Sequence, residues 1–107
     1  MADIAFEKLE RDGMVAVLYS RGFGAGWYSW NTDYEGMAFD RDIVEAVLAD
    51  DHAKAIDIAT KKYPDIYTGG GEDLAVAWVP KGSRFLIEEY DGSESINVLG
   101  PDTGLLA

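Results

Sequence analysis

The run Met14-Val15-Ala16-Val17-Leu18-Tyr19 is almost wholly apolar, so neither face of a strand built from it can be left in water. Side chains alternate between the two faces of a strand, and the run therefore demands cover on both sides. Asp12-Gly13, just before it, is the dipeptide that best supplies positive φ in a two-residue turn, which makes the loosely alternating Ile4, Phe6 and Leu9 the other arm of a first hairpin. Leu74-Ala75-Val76-Ala77-Trp78-Val79 is a second run of this kind and reads as a central strand with Trp78 in the core. Pro80-Lys81-Gly82 then predicts a turn, Arg84–Tyr90 a strand, Asp91-Gly92 a hairpin turn and Ser95–Leu99 its partner, so that the second half is a meander.

Between the two halves the apolar period lengthens to that of helices. Asp40 is placed to cap a helix opening at Arg41, with Ile43, Val44, Val47 and Leu48 on one stripe. Asp50 or Asp51 caps a second helix that runs through Lys62, turns Ala53, Ile56, Ala59 and Tyr63 inward, and is closed by Pro64. Lys61 and Lys62 fall in its last turn, where cations suit the helix dipole. The order ββααβββ lacks strand–helix alternation. It predicts an α+β fold, an antiparallel sheet of about five strands with two short consecutive helices, in one domain over residues 1–107. At 48% hydrophobic residues the chain can fill such a core, alone or as a homo-oligomer.

The absence of cysteine removes disulfides, thiolate nucleophiles and zinc–thiolate sites. Twenty acidic residues against nine Lys and Arg leave a net charge of −11, so phosphate backbones and anionic lipid repel the surface. Direct nucleic-acid binding and membrane association are accordingly not expected. No run approaches the roughly 20 apolar residues of a membrane span, and charged residues break MADIAFEKLERDG before an export-signal core forms, which predicts a cytoplasmic protein.

The segment Arg21-Gly22-Phe23-Gly24-Ala25-Gly26-Trp27-Tyr28-Ser29-Trp30-Asn31 is the least ordinary stretch. Its spacing, GxGxG with no helix behind it, is not a dinucleotide fingerprint. Two readings stand. In one, the glycines let Phe23, Trp27 and Trp30 fold back over the sheet edge as core. In the other, Gly24 and Gly26 bring backbone N–H groups to a ligand, and Phe23, Trp27, Tyr28 and Trp30 are recognition anchors, Trp27 or Tyr28 above all. Arg21, Lys81 and Arg84 form one small positive site beside the loop, or else pair with Glu88 or Glu89.

Gly69-Gly70-Gly71 reads as a turn at positive φ, since Glu72 and Asp73 beside it would repel an anion. Asp40-Arg41-Asp42 and Asp50-Asp51-His52 are explained by helix capping, so no metal or other cofactor is expected, and His52 reads as a solvated surface residue. Glu88 and Glu89 point to opposite faces of a strand, which prevents paired acid–base work, and Glu94 across the hairpin reads as solvated surface charge. None of the usual catalytic constellations is present, and a non-enzymatic role is expected.

Taken together, Gly22–Trp27, Phe39-Asp40, Tyr67-Thr68-Gly69-Gly70, Trp78-Val79-Pro80 and Arg84–Ile96 resemble a family of small uncharacterised proteins of tailed phages and prophages. The resemblance implies an accessory protein that binds and inhibits a host component in the host cytosol, in the manner of anti-defence and anti-CRISPR proteins. The expected partner is a host protein with a basic surface, engaged by an acidic face that includes Asp42 and Glu45 on the first helix. The alternative is a small module that binds or sequesters a nucleotide-like signal through the glycine–aromatic loop.

Overall fold

A computed structural model of the chain describes residues 4–99 and 104–107. Its elements, in order, are β1 (Glu10–Arg11), β2 (Met14–Ser20), α1 (Gly36–Phe39), α2 (Arg41–Leu48), α3 (His52–Lys62), β3 (Leu74–Pro80), β4 (Arg84–Tyr90), β5 (Ser93–Leu99) and β6 (Leu105–Leu106), with single 3-10 turns at Tyr28–Trp30 and Gly71–Asp73. The fold is α+β, but the strands form two antiparallel three-stranded sheets, ordered β1-β2-β3 and β5-β4-β6. The expected single sheet is thus divided, and a third, one-turn helix precedes the two expected ones.

The two-sided apolar run explains the division. Val15 and Val17 leave one face of β2 and pack with Val79, Phe85, Ala38 and Phe39 into a core between the sheets. Ala16 and Leu18 leave the other face and pack with Ile43, Val44, Val47, Ala55 and Ala59 beneath the helices. Three layers result: the β5-β4-β6 sheet, the β1-β2-β3 sheet, and the pair α2–α3. One continuous sheet carrying helices would have left one face of β2 in water.

β2, not β3, is the central strand of its sheet. The ladder runs from Met14 opposite Pro80 to Ser20 opposite Leu74, which leaves β3 at the edge. The expected meander is also broken, because β3 and β4 do not pair. Past Pro80 the turn at Lys81-Gly82, with Gly82 at φ 87°, carries the chain from one sheet to the other. Trp78 is consequently only partly buried, with the Arg11 guanidinium 5.5 Å from its ring centroid. Trp78→Ala is expected to cost about 1–2 kcal/mol, against about 3–5 for a fully enclosed tryptophan, read as a shift in denaturant midpoint. Complete loss of the fold would show that Trp78 carries central-strand packing after all.

Both Asp-Gly turns form as the sequence predicts, with positive φ at Asp12, Gly13, Asp91 and Gly92. The first arm is shorter than expected. Glu10 and Arg11 form the strand that pairs with β2, Leu9 O accepts from the Ala16 N–H, and the preceding residues bridge Lys8 to Asp40. Asp40 caps α2 by accepting from the Asp42 N–H, and Asp51 rather than Asp50 caps α3, accepting from the Lys54 N–H. Asp50 stands in the left-handed region at φ 58° and closes α2, its N–H reaching Val47 O while that of Asp51 reaches Ala46 O. On α3 the inward face is Ala55, Ala59 and Tyr63, whereas Ala53 is exposed. Leu48, expected on the buried stripe of α2, also faces solvent.

Candidate functional site

Strand alternation decides where the glycine–aromatic loop goes. In the β4–β5 ladder Phe85, Ile87 and Glu89 lie opposite Val98, Ile96 and Glu94, so the face that sends Phe85 and Ile96 into the inter-sheet core sends Glu94 inward too. Its carboxylate is almost wholly buried and meets the loop. Oε1 accepts from the Ser20 N–H at 2.8 Å. Oε2 accepts from the Trp27 and Ser29 N–H groups, each at 2.8 Å, and from the Ser29 hydroxyl at 2.5 Å. Glu94 is therefore the anchor of the loop and not solvated surface charge. Those loop N–H groups are cradling an anion, and the anion belongs to the chain itself.

Glycines fit the loop against its neighbours. The Gly24 N–H donates to Asp91 O at the tip of the β4–β5 hairpin, and Gly92, at φ 85°, leaves no side chain to strike Ala25 N. Gly69, Gly70 and Gly71 do not have the positive φ expected of them. They are needed for space: a Cβ on Gly70 would stand 2.6 Å from Gly26 O, and one on Gly71 would run into Ile56.

Of the candidate residues, Trp27 is fully buried and donates from Nε1 to Met37 O at 2.7 Å, which makes it core and removes it from any solvent-facing surface. Gly26 is buried, whereas Gly24 is exposed at φ 89° with open space around it. Tyr28 is half-buried, and burial, followed by the charge of Glu35, pushes its hydroxyl pKa up. Phe23, at 70% exposure, and Trp30, at 41%, face water. Trp30 lies 5.0 Å from Tyr67, itself 47% exposed, and its indole N–H donates to Glu89 at 3.1 Å. Asn31 ties the pair down by donating to Tyr67 O and accepting from the Tyr67 N–H, both at 2.8 Å. Tyr90, 79% exposed, adjoins the same hairpin turn. Phe23, Trp30 and Tyr67 are thus exposed beside the β4–β5 turn, to which Gly24 is tied through Asp91 O and Trp30 through Glu89, whereas Tyr90, next to Glu89 in β4, leaves the opposite face of the sheet.

The three basic residues do not converge. Arg21 follows one end of the β2–β3 ladder and Lys81 the other, about 20 Å away at the usual rise per strand residue. Lys81 pairs with Glu10 at 2.9 Å, and Arg84 donates to Gly104 O at 3.3 Å, so neither takes Glu88 or Glu89. Asp42 and Glu45 are exposed on α2, Glu45 lying 3.6 Å from Arg41. Asp40 is buried, bound to Lys62 Nζ at 2.7 Å and to the Tyr63 hydroxyl at 2.6 Å. Burial and this carboxylate push the Tyr63 phenol far up.

His52 is half-buried, not solvated. Its Nε2 lies 2.9 Å from Leu74 O and so carries the proton, and Nδ1 stands 3.7 Å from Asp50. It lines an open groove of about 700 Å³ with Arg21, Asp50, Glu72 and Asp73. That groove offers no hydroxyl or thiol side chain for His52 to activate. Among the described residues, no three His, Asp or Glu side chains are grouped to hold a metal ion, and no helix is long and apolar enough to cross a membrane.

Sequence reasoning missed the roles of Glu94, Asn31 and Tyr67. The alternation Ile96, Glu94 carried the signal for the first, while Tyr67 becomes visible only once Asn31 has joined two loops 36 residues apart. No protein-family model, curated protein or solved structure matches the chain.

Proposed function

We propose that the protein works by binding rather than by catalysis, docking the Phe23–Trp30–Tyr67 end onto a basic surface of another protein. The observation that carries this reading is the exposed Trp30–Tyr67 pair on a loop clamped by Glu94. Aromatic side chains pre-positioned in this way lose little entropy on binding and are the usual interface anchors. The net charge of −11 supplies the complementary field. Given the resemblance to small phage proteins, the partner is a host component that the protein inhibits, its basic residues being those that would otherwise meet nucleic acid. A nucleotide-like ligand has less support, because Glu94 holds the loop N–H groups it would need and the three basic residues are dispersed.

The test is Trp30→Ala, measured for stability and for capture of proteins from host lysate. Stability should change by less than about 1 kcal/mol, whereas binding to the captured partner should weaken by about 2 kcal/mol or more. Association should slow steeply once salt shortens the Debye length below about 8 Å, and should slow further when Asp42 and Glu45 are both changed to Lys. Capture that survives Trp30→Ala unchanged, at a rate indifferent to salt, would remove this end of the molecule from the interface.

A further inference from the structure

Another concavity, of about 410 Å³, lies between the segments around Phe6, Tyr28, Tyr34 and Tyr63. These four rings line it, with Tyr34 and Tyr63 tilted against each other at 5.4 Å, and Asp33 and Glu35 stand at its edge. Gly36 makes room for the Tyr63 wall, since a Cβ there would collide with the Tyr63 hydroxyl and approach Phe6. Burial, and after it the charge of Glu35, pushes the Tyr28 phenol up. No Lys, Arg or His lines the pocket, and neither Asp33 nor Glu35 is ion-paired among the described residues.

Elsewhere the chain sets its own cations over aromatic rings. Lys8 Nζ lies 4.4 Å from the Phe39 centroid, and Lys62 Nζ, held by Asp40, lies 5.8 Å from that of Tyr63. Of the rings that line the pocket, Tyr63 is buried and already has Lys62 against it, whereas among the described residues no cation of the chain lies over Phe6, Tyr28 or Tyr34, and the carboxylates beside them are unpaired. Rings attract positive charge through their quadrupole, and the attraction survives best for cations that shed water easily. A primary ammonium is strongly hydrated and would have to exchange several waters for few acceptors. We infer that this pocket binds an alkylated ammonium group, free or carried on a methylated lysine side chain. The inference does not depend on the Trp30 surface.

The probes are choline, its neutral carbon isostere 3,3-dimethylbutanol, and short peptides bearing trimethyllysine or lysine, titrated against the isotope-labelled protein by NMR. Saturable shifts at the amides of Tyr28, Thr32, Glu35 and Gly36 are expected with choline and trimethyllysine, about tenfold weaker with the isostere or with lysine. Preference for the peptide over choline by tenfold would identify a protein-borne cation, and equal binding a free one. Glu35→Gln, at an exposed position, should weaken choline about threefold, and Tyr34→Leu by tenfold or more. Trp30→Ala should leave choline binding unchanged, so this site and the proposed interface can fail separately. Equal affinity for choline and the isostere would overturn the assignment in favour of a merely apolar pocket, and the absence of saturable shifts would overturn it outright.

Discussion

Glu94→Ala is expected to destabilise the protein by on the order of 3–5 kcal/mol, a large fraction of what a domain of this size has in reserve. The substitution leaves the N–H groups of Ser20, Trp27 and Ser29 without the acceptor that now serves all three. Each buried donor so orphaned costs about 1–3 kcal/mol, partly offset because a desolvated carboxylate is no longer required. Glu94→Gln sharpens the test. It keeps the volume, but an amide nitrogen must then face a donor, so the variant should fall between wild type and alanine. Denaturant unfolding gives the stabilities, and hydrogen exchange at Ser20, Trp27 and Ser29 reports the clamp itself. Unchanged protection of those three amides in Glu94→Ala would show that the loop is held by something else.

Trp27→Ala should be comparably severe, about 3–5 kcal/mol, because it empties a fully enclosed site and orphans Met37 O. Trp27→Phe retains most of the packing and isolates the lost hydrogen bond, at about 1–2 kcal/mol. Three residues along, Trp30→Ala should cost the fold little. The contrast between two tryptophans of one short segment separates a core ring from a surface ring in a single pair of melting curves. A Trp27→Ala protein as stable as wild type would overturn the assignment of this ring to the core.

What could be read from the chain was mostly what is decided locally. The two-faced run of β2, both Asp-Gly turns, the Asp40 cap and the extent of the two longer helices each depend on neighbours within a few residues. What could not be read was pairing at a distance. Leu74–Val79 has the same apolar pattern whether a strand lies on one side of it or both, so its edge position is invisible in the run itself. The dispersal of Arg21, Lys81 and Arg84 follows from strand direction, and strand direction follows from where β3 pairs. Glu94 is an intermediate case. Counting back by two from Ile96 puts it on the inner face, but a carboxylate there makes sense only once its donors, 65–74 residues earlier in the chain, are known.

That separation bears on how the molecule assembles in time. A ribosome delivers β2 and the loop first, then the helices, then β3 and β4, and the carboxylate that organises the loop only with β5. Until then Ser20, Trp27 and Ser29 have only water for partners, and Val15 and Val17 lack the sheet that will cover them. The helix layer can close on β2 early through contacts near in sequence, whereas the loop has to wait for an ordering step that spans most of the molecule. Ordering of the loop is therefore a late event set off by β5, and a nascent chain halted before β5 would have the helices in place with the loop still unclamped.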